Sequence, residues 1–182
     1  MREIGGETVH SNPWFTVERR TYLTRTAGDG AGQEHQYFMV NKADSVLAVV
    51  RDGAGYVLVE LSRPTLGGRL STEFPQGGIA PGESPEAAVR REVLEETGLL
   101  LAELRPVAVF AESNGFATSS CHVFTALAAG EGRTARDVFE KDMVVRTMDW
   151  EAIHGLVRAG AVHDSATLAA LALVGTGGDV HP

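Results

Sequence analysis

The stretch GGIAPGESPEAAVRREVLEETGL (77–99) ends in four glutamates within a few turns, Glu86, Glu92, Glu95 and Glu96, after an earlier Glu83, and the last three fall within five positions. Carboxylates at that density offer hard oxygen donors, which suit a hard divalent cation; magnesium in particular is held by one or two carboxylates together with substrate phosphates. The competing explanation is a solvated acidic face on a helix. Like charges at i,i+3 and i,i+4 each cost roughly 0.2–0.5 kcal/mol in an isolated helix, and carboxylates in a last turn also face the negative end of the helix dipole. Arg90 and Arg91 offset part of this, Arg91 reaching Glu95 at i+4, but two guanidiniums do not neutralise four carboxylates. A magnesium or manganese ion is the candidate for the missing positive charge.

A helix has to present these groups, and its limits are legible. Ser84 suits the N-cap, Pro85 the first helical position, Glu86 the first turn and Gly98 a left-handed exit, which predicts a helix over 85–97. At 100° per residue, Glu92, Glu95 and Glu96 span an arc of about 100°. Ala87, Val89, Val93 and Leu94 fill the other side, so these are expected to pack while the acids face outward.

Around this helix the chain reads mostly as strands. WFTVERRTYL and QYFMV, separated by the Gly-rich AGDGAG, suggest a small antiparallel β unit over residues 1–43 ahead of a main domain over 44–182. SVLAVV and YVLVEL flank Asp52-Gly53, a hairpin signal. RPTLGGRLSTEFPQGG reads as a loop, VAVFA, HVFTAL and MVVRTM as further strands, and WEAIHGLVRAGAV and SATLAALALV as closing helices. Strands that precede, interrupt and follow one helix indicate an α+β sandwich.

Composition narrows the function. A chain of 182 residues, 43% hydrophobic, supports one sizeable core and not two full domains. A net charge of −8 disfavours nucleic-acid binding, which needs Lys and Arg spread over a face. The single Cys121 precludes an internal disulfide, and no apolar run is of membrane-spanning length; a soluble cytoplasmic protein is expected. Cys121 reads as a small buried hydrophobe. His10, His35, His122, His154, His163 and His181 show no paired metal spacing, which argues against zinc. Trp14 and Trp150 read as core anchors.

The spacing Gly77, five residues, Glu83, seven residues, Arg91, Glu92, Val93, one residue, Glu95, Glu96, one residue, Gly98 and Leu99 resembles the full signature of the Nudix hydrolases. The resemblance implies an α/β/α sandwich with a mixed sheet, and a loop-helix-loop that binds divalent metal beneath a diphosphate. It places metal ligands at Glu92 and Glu96, with Glu95 supporting and the Gln76 carbonyl completing the shell. Arg91 is implied to orient the glutamates and Glu83 to brace the loop. The implied reaction is hydrolysis of a nucleoside diphosphate linked to another group.

Over about Asn12–Leu173 the chain is similar to the ADP-ribose and nucleoside diphosphate sugar pyrophosphatases. NPWFTVERRTY resembles their N-terminal dimerisation strands, which implies a homodimer. LSRP implies Arg63 near substrate or the subunit contact, EFPQGG implies Glu73 at the nucleotide end, and ESNGFATS places Gly115 and Phe116 in a substrate loop. The chain departs from that subfamily at Thr72, Asn114 and Ala117–Ser120, so the implied class is the nucleotide sugars broadly. Arg51 is a further candidate for phosphate. In FEKD, Glu140 and Asp142 are candidates for a late-loop carboxylate that helps position or deprotonate water, Glu140 being preferred. FPQGGI is also close to a segment of the RNA 5'-pyrophosphohydrolases and diadenosine polyphosphate hydrolases. A non-catalytic nucleotide sensor is a third possibility, disfavoured by the intact set Arg91, Glu92, Glu95 and Glu96.

Overall fold

A computed structural model describes residues 1–25 and 32–175. Two compact units are present, one formed by Met1–Ala43 with Ala111–Ser120 and the other by residues 44–110 with the described chain from Cys121 onward.

In the first unit, β1 (Arg2–Ser11), β2 (Phe15–Arg25) and β3 (Gly32–Lys42) form an antiparallel sheet with β2 in the centre. Strand β1 was not evident in the sequence, since its GGE segment and polar residues hide any alternation. Apart from Gly32, the AGDGAG connection lies outside the described residues, as does His181. Segment 111–120 is tied to β3: the Val40 N–H donates to the Phe116 carbonyl at 2.7 Å and the Thr118 N–H to the Val40 carbonyl at 3.0 Å. Trp14 is 78% exposed, which corrects its reading as a core anchor. It occupies a tight turn in which Asn12 Oδ1 accepts from the N–H groups of Trp14 and Phe15, so the indole points outward.

The second unit is built on β4 (Ser45–Arg51), β5 (Tyr56–Arg63), β6 (Arg69–Glu73), β7 (Gln76–Gly78), β8 (Leu99–Ala111), β9 (Ser120–Glu131) and β10 (Val144–Met148). The order is β10-β5-β4-β9-β8, with β6 on β5 and β7 on β4. Strand β4 runs parallel to β9 and antiparallel to β5 and β7, so the sheet is mixed as expected. The Asp52-Gly53 hairpin is present, with Asp52 Oδ1 accepting from Ala54 and Gly55. RPTLGG opens with a 3-10 turn, Pro64–Leu66, and the rest of the expected loop forms β6 and β7. Short edge segments of this kind carry too little alternation to be seen as strands.

Helix α1 (Pro85–Thr97) covers one face of the sheet, and α2 (Trp150–Arg158) with α3 (Ser165–Gly175) covers the other. Strand β4 explains how, being buried at five consecutive positions. Val46, Ala48 and Val50 pack with Val89 and Val93 of α1, while Leu47 and Val49 pack with Ile153 of α2 and Leu171 of α3. Cys121 is buried in the second of these cores, and Trp150 packs against it with its ring 4.8 Å from Tyr56.

Helix α3 is pinned to the approach to α1 by Thr167, which is fully buried and whose Oγ1 accepts from the Phe74 N–H at 3.0 Å. Replacing Thr167 by Val keeps the shape and strands that buried N–H. Chemical denaturation of Thr167→Val is expected to show a loss of about 1–3 kcal/mol; an unchanged midpoint would contradict this role.

Candidate active site

Helix α1 starts where its sequence requires. Ser84 accepts from the Ala87 N–H at 3.2 Å, Pro85 follows, and Gly98 ends the helix at φ 79°. The preceding loop is closed by Glu83, whose Oε2 accepts from the Ala80 N–H at 3.0 Å. Gly77 in β7 allows the helix to lie close: a Cβ there would come 2.1 Å from the Glu92 carboxyl carbon.

Arg91 gathers the acids of this loop and helix. Its Nε and Nη2 donate to the two oxygens of Glu83, both at 2.9 Å; Nη1 donates to Glu92 at 2.7 Å and Glu95 at 3.2 Å; Nη2 also reaches the Gly78 carbonyl at 2.9 Å. Hydrogen bonds from Arg91 and the Ala80 N–H hold the Glu83 carboxyl down at about 2, and the carboxylates hold the Arg91 proton more tightly than usual.

Glu96 lies outside that network. It was expected on an open helical face, yet it is 1% exposed, and Ala88 is buried while Ala87 is exposed. Helical angle alone misplaced it, because β7 and Pro75 to Gln76 fold over that side of α1. Glu96 Oε2 accepts from the Gln76 N–H at 3.2 Å. Burial, then the charges of Glu140 and Glu92, push its carboxyl well above the usual range. Glu92 is also raised, by burial first and by Glu95 and Glu140, although Arg91 counters this.

The donor set is oxygen throughout, in an excess of negative charge that the protein leaves unbalanced, and this fits a hard divalent cation. Among the described residues no three His, Cys, Asp or Glu side chains form a closed cage. Magnesium, held by one or two carboxylates and substrate phosphates, needs none.

A NUDIX domain model matches residues 41–171. The chain belongs to the Nudix family. It is similar to the ADP-ribose pyrophosphatase of Bacillus subtilis (strain 168), 32% identical over 130 residues that cover 71% of this chain and 69% of that one. The GDP-mannose pyrophosphatase of Citrobacter koseri is 25% identical and is covered to 88%, against 89% of this chain. An RNA pyrophosphohydrolase of Pectobacterium atrosepticum is 56% identical, over only 41 residues and 22% of this chain. In structure, the chain resembles an ADP compounds hydrolase with a TM-score of 0.78 at 18% identity, over 96% of this chain and 92% of that one. Members of the Nudix family generally require divalent metal ions.

Beside the Nudix helix, Arg63 and Glu73 form a two-pronged ion pair, with Nε to Oε1 at 2.9 Å and Nη2 to Oε2 at 2.5 Å. Burial pushes Glu73 up, but Arg63 more than reverses this and holds it below the usual carboxylate range. The Gln76 side chain donates to Glu73 at 2.9 Å and to Asp164 at 3.0 Å, linking this pair to the start of α3. Arg63, Thr65, Glu73, Gln76, His163 and Asp164 line a cavity of about 330 Å³. A larger groove of about 600 Å³ at the exit of α1 holds none of the expected site residues.

Asp164 was missed in the sequence, although its signal was present: it directly precedes SATLAAL, and its carboxylate accepts from the Thr167 N–H at 2.7 Å as a helix cap. Arg51 is not brought to the Nudix carboxylates. It ends β4, whereas β7 pairs at Ser45–Leu47, about 13 Å earlier along the strand; its guanidinium lies over the Tyr56 ring. Gly115 and the 54% exposed Phe116 belong to the loop tied to β3 in the first unit. Of the late-loop acids, Glu140 is half-buried and its charge acts on Glu92 and Glu96, while Asp142 is exposed and is not among the groups that shift them.

An acid whose pKa is raised on folding binds its proton more tightly in the fold than in the unfolded chain, so stability falls as pH rises through the raised pKa. Above about pH 5 the lowered acids Glu83, Glu73 and Asp52 are ionised in both states, so Glu96 and Glu92 dominate. In chelator-treated protein, the thermal midpoint is expected to fall from pH 5 toward 8, and Glu96→Gln to flatten that fall and raise the midpoint at pH 8. A lower midpoint for Glu96→Gln at pH 8 would contradict the unbalanced charge.

Proposed function

We propose that this Nudix enzyme hydrolyses the pyrophosphate bond of ADP-ribose or related nucleoside diphosphate sugars in the presence of magnesium or manganese. Water adds to one phosphorus, the bridging P–O bond breaks, and a nucleoside monophosphate and a sugar phosphate leave. The carrying observation is the pair of raised carboxylates: Glu96, which has no ion pair among the described residues, and Glu92, which has to share the fully committed Arg91 with Glu83 and Glu95. The similarity to an ADP-ribose and a GDP-mannose pyrophosphatase, each over most of the chain, supports the substrate class.

Glu92 and Glu96 would hold the ion, with Glu95 supporting; the Gln76 carbonyl is the remaining candidate ligand. When bound, the ion would neutralise phosphate oxygens, stabilise charge on the leaving phosphate and lower the pKa of water. Arg91 orients Glu92 and Glu95 and fixes the loop through Glu83 and Gly78. Glu140, facing the same carboxylates from the late loop, is assigned to positioning the water or taking its proton; Asp142 is not. Arg63 and Glu73, with Gln76 between them and Asp164, form one wall of the substrate cleft. Residues 1–43 are proposed as the dimerisation element ahead of the catalytic domain 44–182, in keeping with exposed Trp14 and Phe38 on the first unit. Among the described residues no helix is long and apolar enough to cross a membrane, and with Cys121 the lone cysteine, a cytoplasmic setting is proposed.

A panel of ADP-ribose, ADP-glucose, GDP-mannose, diadenosine polyphosphates and triphosphorylated RNA, assayed with magnesium or manganese, tests the substrate class. A nucleotide sugar is expected to turn over fastest. Fastest turnover of RNA or a dinucleotide would overturn the assignment, and binding without turnover would indicate a sensor. On the best substrate, Glu96→Gln is expected to lower kcat by about a hundredfold or more, with the fold intact by circular dichroism.

A further inference from the structure

The C-terminal end of α1 poses a problem that residues outside the helix solve. The last carbonyls of a helix have no partner within it, and a cation is favoured there. Helix α1 has no basic residue in its last turn and carries Glu95 and Glu96. The segment after β9 supplies what is missing: the Gly132 N–H donates to the Gly98 carbonyl at 2.7 Å, the Ala135 N–H to the Glu95 carbonyl at 3.0 Å, and Arg136 Nε to the Glu96 carbonyl at 2.8 Å.

Arg136 does a second thing that a helix cap does not need to do. Its Nη1 donates to the Met143 carbonyl at 2.5 Å, at the point where the late loop enters β10. One half-buried side chain thus spans residues 137–142 and fastens the exit of that loop to the backbone of Glu96. Between the two ends the loop has a turn of its own: the Glu140 N–H donates to the Asp137 carbonyl at 3.1 Å, the Met143 N–H to the Glu140 carbonyl at 2.9 Å, and the Asp137 N–H to Glu140 Oε2 at 3.3 Å. The tip, Val138 and Phe139, is 62% and 76% exposed and so is not held by packing. Arg136 and the buried Met143 are therefore the anchors that set where Glu140 stands relative to α1.

We infer that Arg136 is a positioning residue for Glu140: by joining the end of the Nudix helix to the exit of the late loop, it fixes where the Glu140 carboxylate stands relative to α1. This rests on the assignment of Glu140 to the reaction. Arg136 touches neither substrate nor metal, and it acts through the loop. Loss of the clamp should leave substrate binding in place and misplace the carboxylate during turnover.

The test is a double-mutant cycle on the fastest-turning substrate, using Arg136→Met, Glu140→Gln and the pair. Arg136→Met is expected to lower kcat by about tenfold to a hundredfold, as removal of a supporting partner does, with KM changed by less than about twofold. It should cause no further loss in the Glu140→Gln background. Arg136→Lys, which keeps a charge and can donate to either carbonyl, should recover part of the rate, and it carries the same cycle if Arg136→Met does not fold. In metal-free protein, hydrogen exchange over 137–143 should quicken in Arg136→Met and not in Glu140→Gln. Equal losses in both backgrounds, or a fall in thermal midpoint with kcat unchanged, would reduce Arg136 to a helix cap and overturn the inference. Full turnover by Glu140→Gln would remove Glu140 from the reaction and the inference with it, while the nucleotide sugar assignment would still stand on the substrate panel.

Discussion

A guanidinium has five N–H donors, and Arg91 uses all of them, on Glu83 twice, Glu92, Glu95 and the Gly78 carbonyl. Nothing remains for Glu96, which is nevertheless the most deeply buried acid of the helix. The fold thus resolves the repulsion among its crowded glutamates only in part. The unresolved part lies under a short strand and feels the charges of three further carboxylates, Glu140, Glu92 and Glu73. Burying a charge without a partner is costly. Its persistence here is understood if a cation delivered with substrate supplies the partner.

The rest of the domain holds that imbalance in place. Strand β4, buried on both faces, fixes α1 on one side and α2 and α3 on the other. Strand β7 pairs with the first half of β4 and carries Gly77 and Gln76, which lets Glu92 approach and gives Glu96 its N–H. From the opposite layer, Asp164 just before α3 and Thr167 within it reach Gln76 and the Phe74 backbone. Both layers therefore meet at Phe74–Gln76, the segment that leads into the Nudix loop.

Much of this was legible because it depends on local rules. The cap at Ser84, the exit at Gly98, the Asp52-Gly53 hairpin and the buried Cys121 follow from side-chain chemistry over a few residues. The fixed spacing from Gly77 to Leu99 carried the family and, through it, the fold. What was not legible depends on tertiary cover. Glu96 sits at an angle that reads as outward, and only the overlying β7 makes it buried. Trp14 reads as a core residue by type, but a turn closed by Asn12 sends it to solvent. Arg136 has no sequence signal, since its partners are two backbone carbonyls, those of Glu96 and Met143, forty and seven residues away.

The central claim, that buried uncompensated carboxylates exist to take a divalent ion, is tested most directly by counting bound manganese. Electron paramagnetic resonance reports free manganese, so a titration of the protein in the presence of a nucleoside monophosphate gives occupancy without turnover. Wild-type protein should take up at least one ion per chain, and the Glu92→Gln, Glu96→Gln double variant should lose that uptake while remaining folded. Equal uptake by both proteins, or none by the wild type, would contradict the claim.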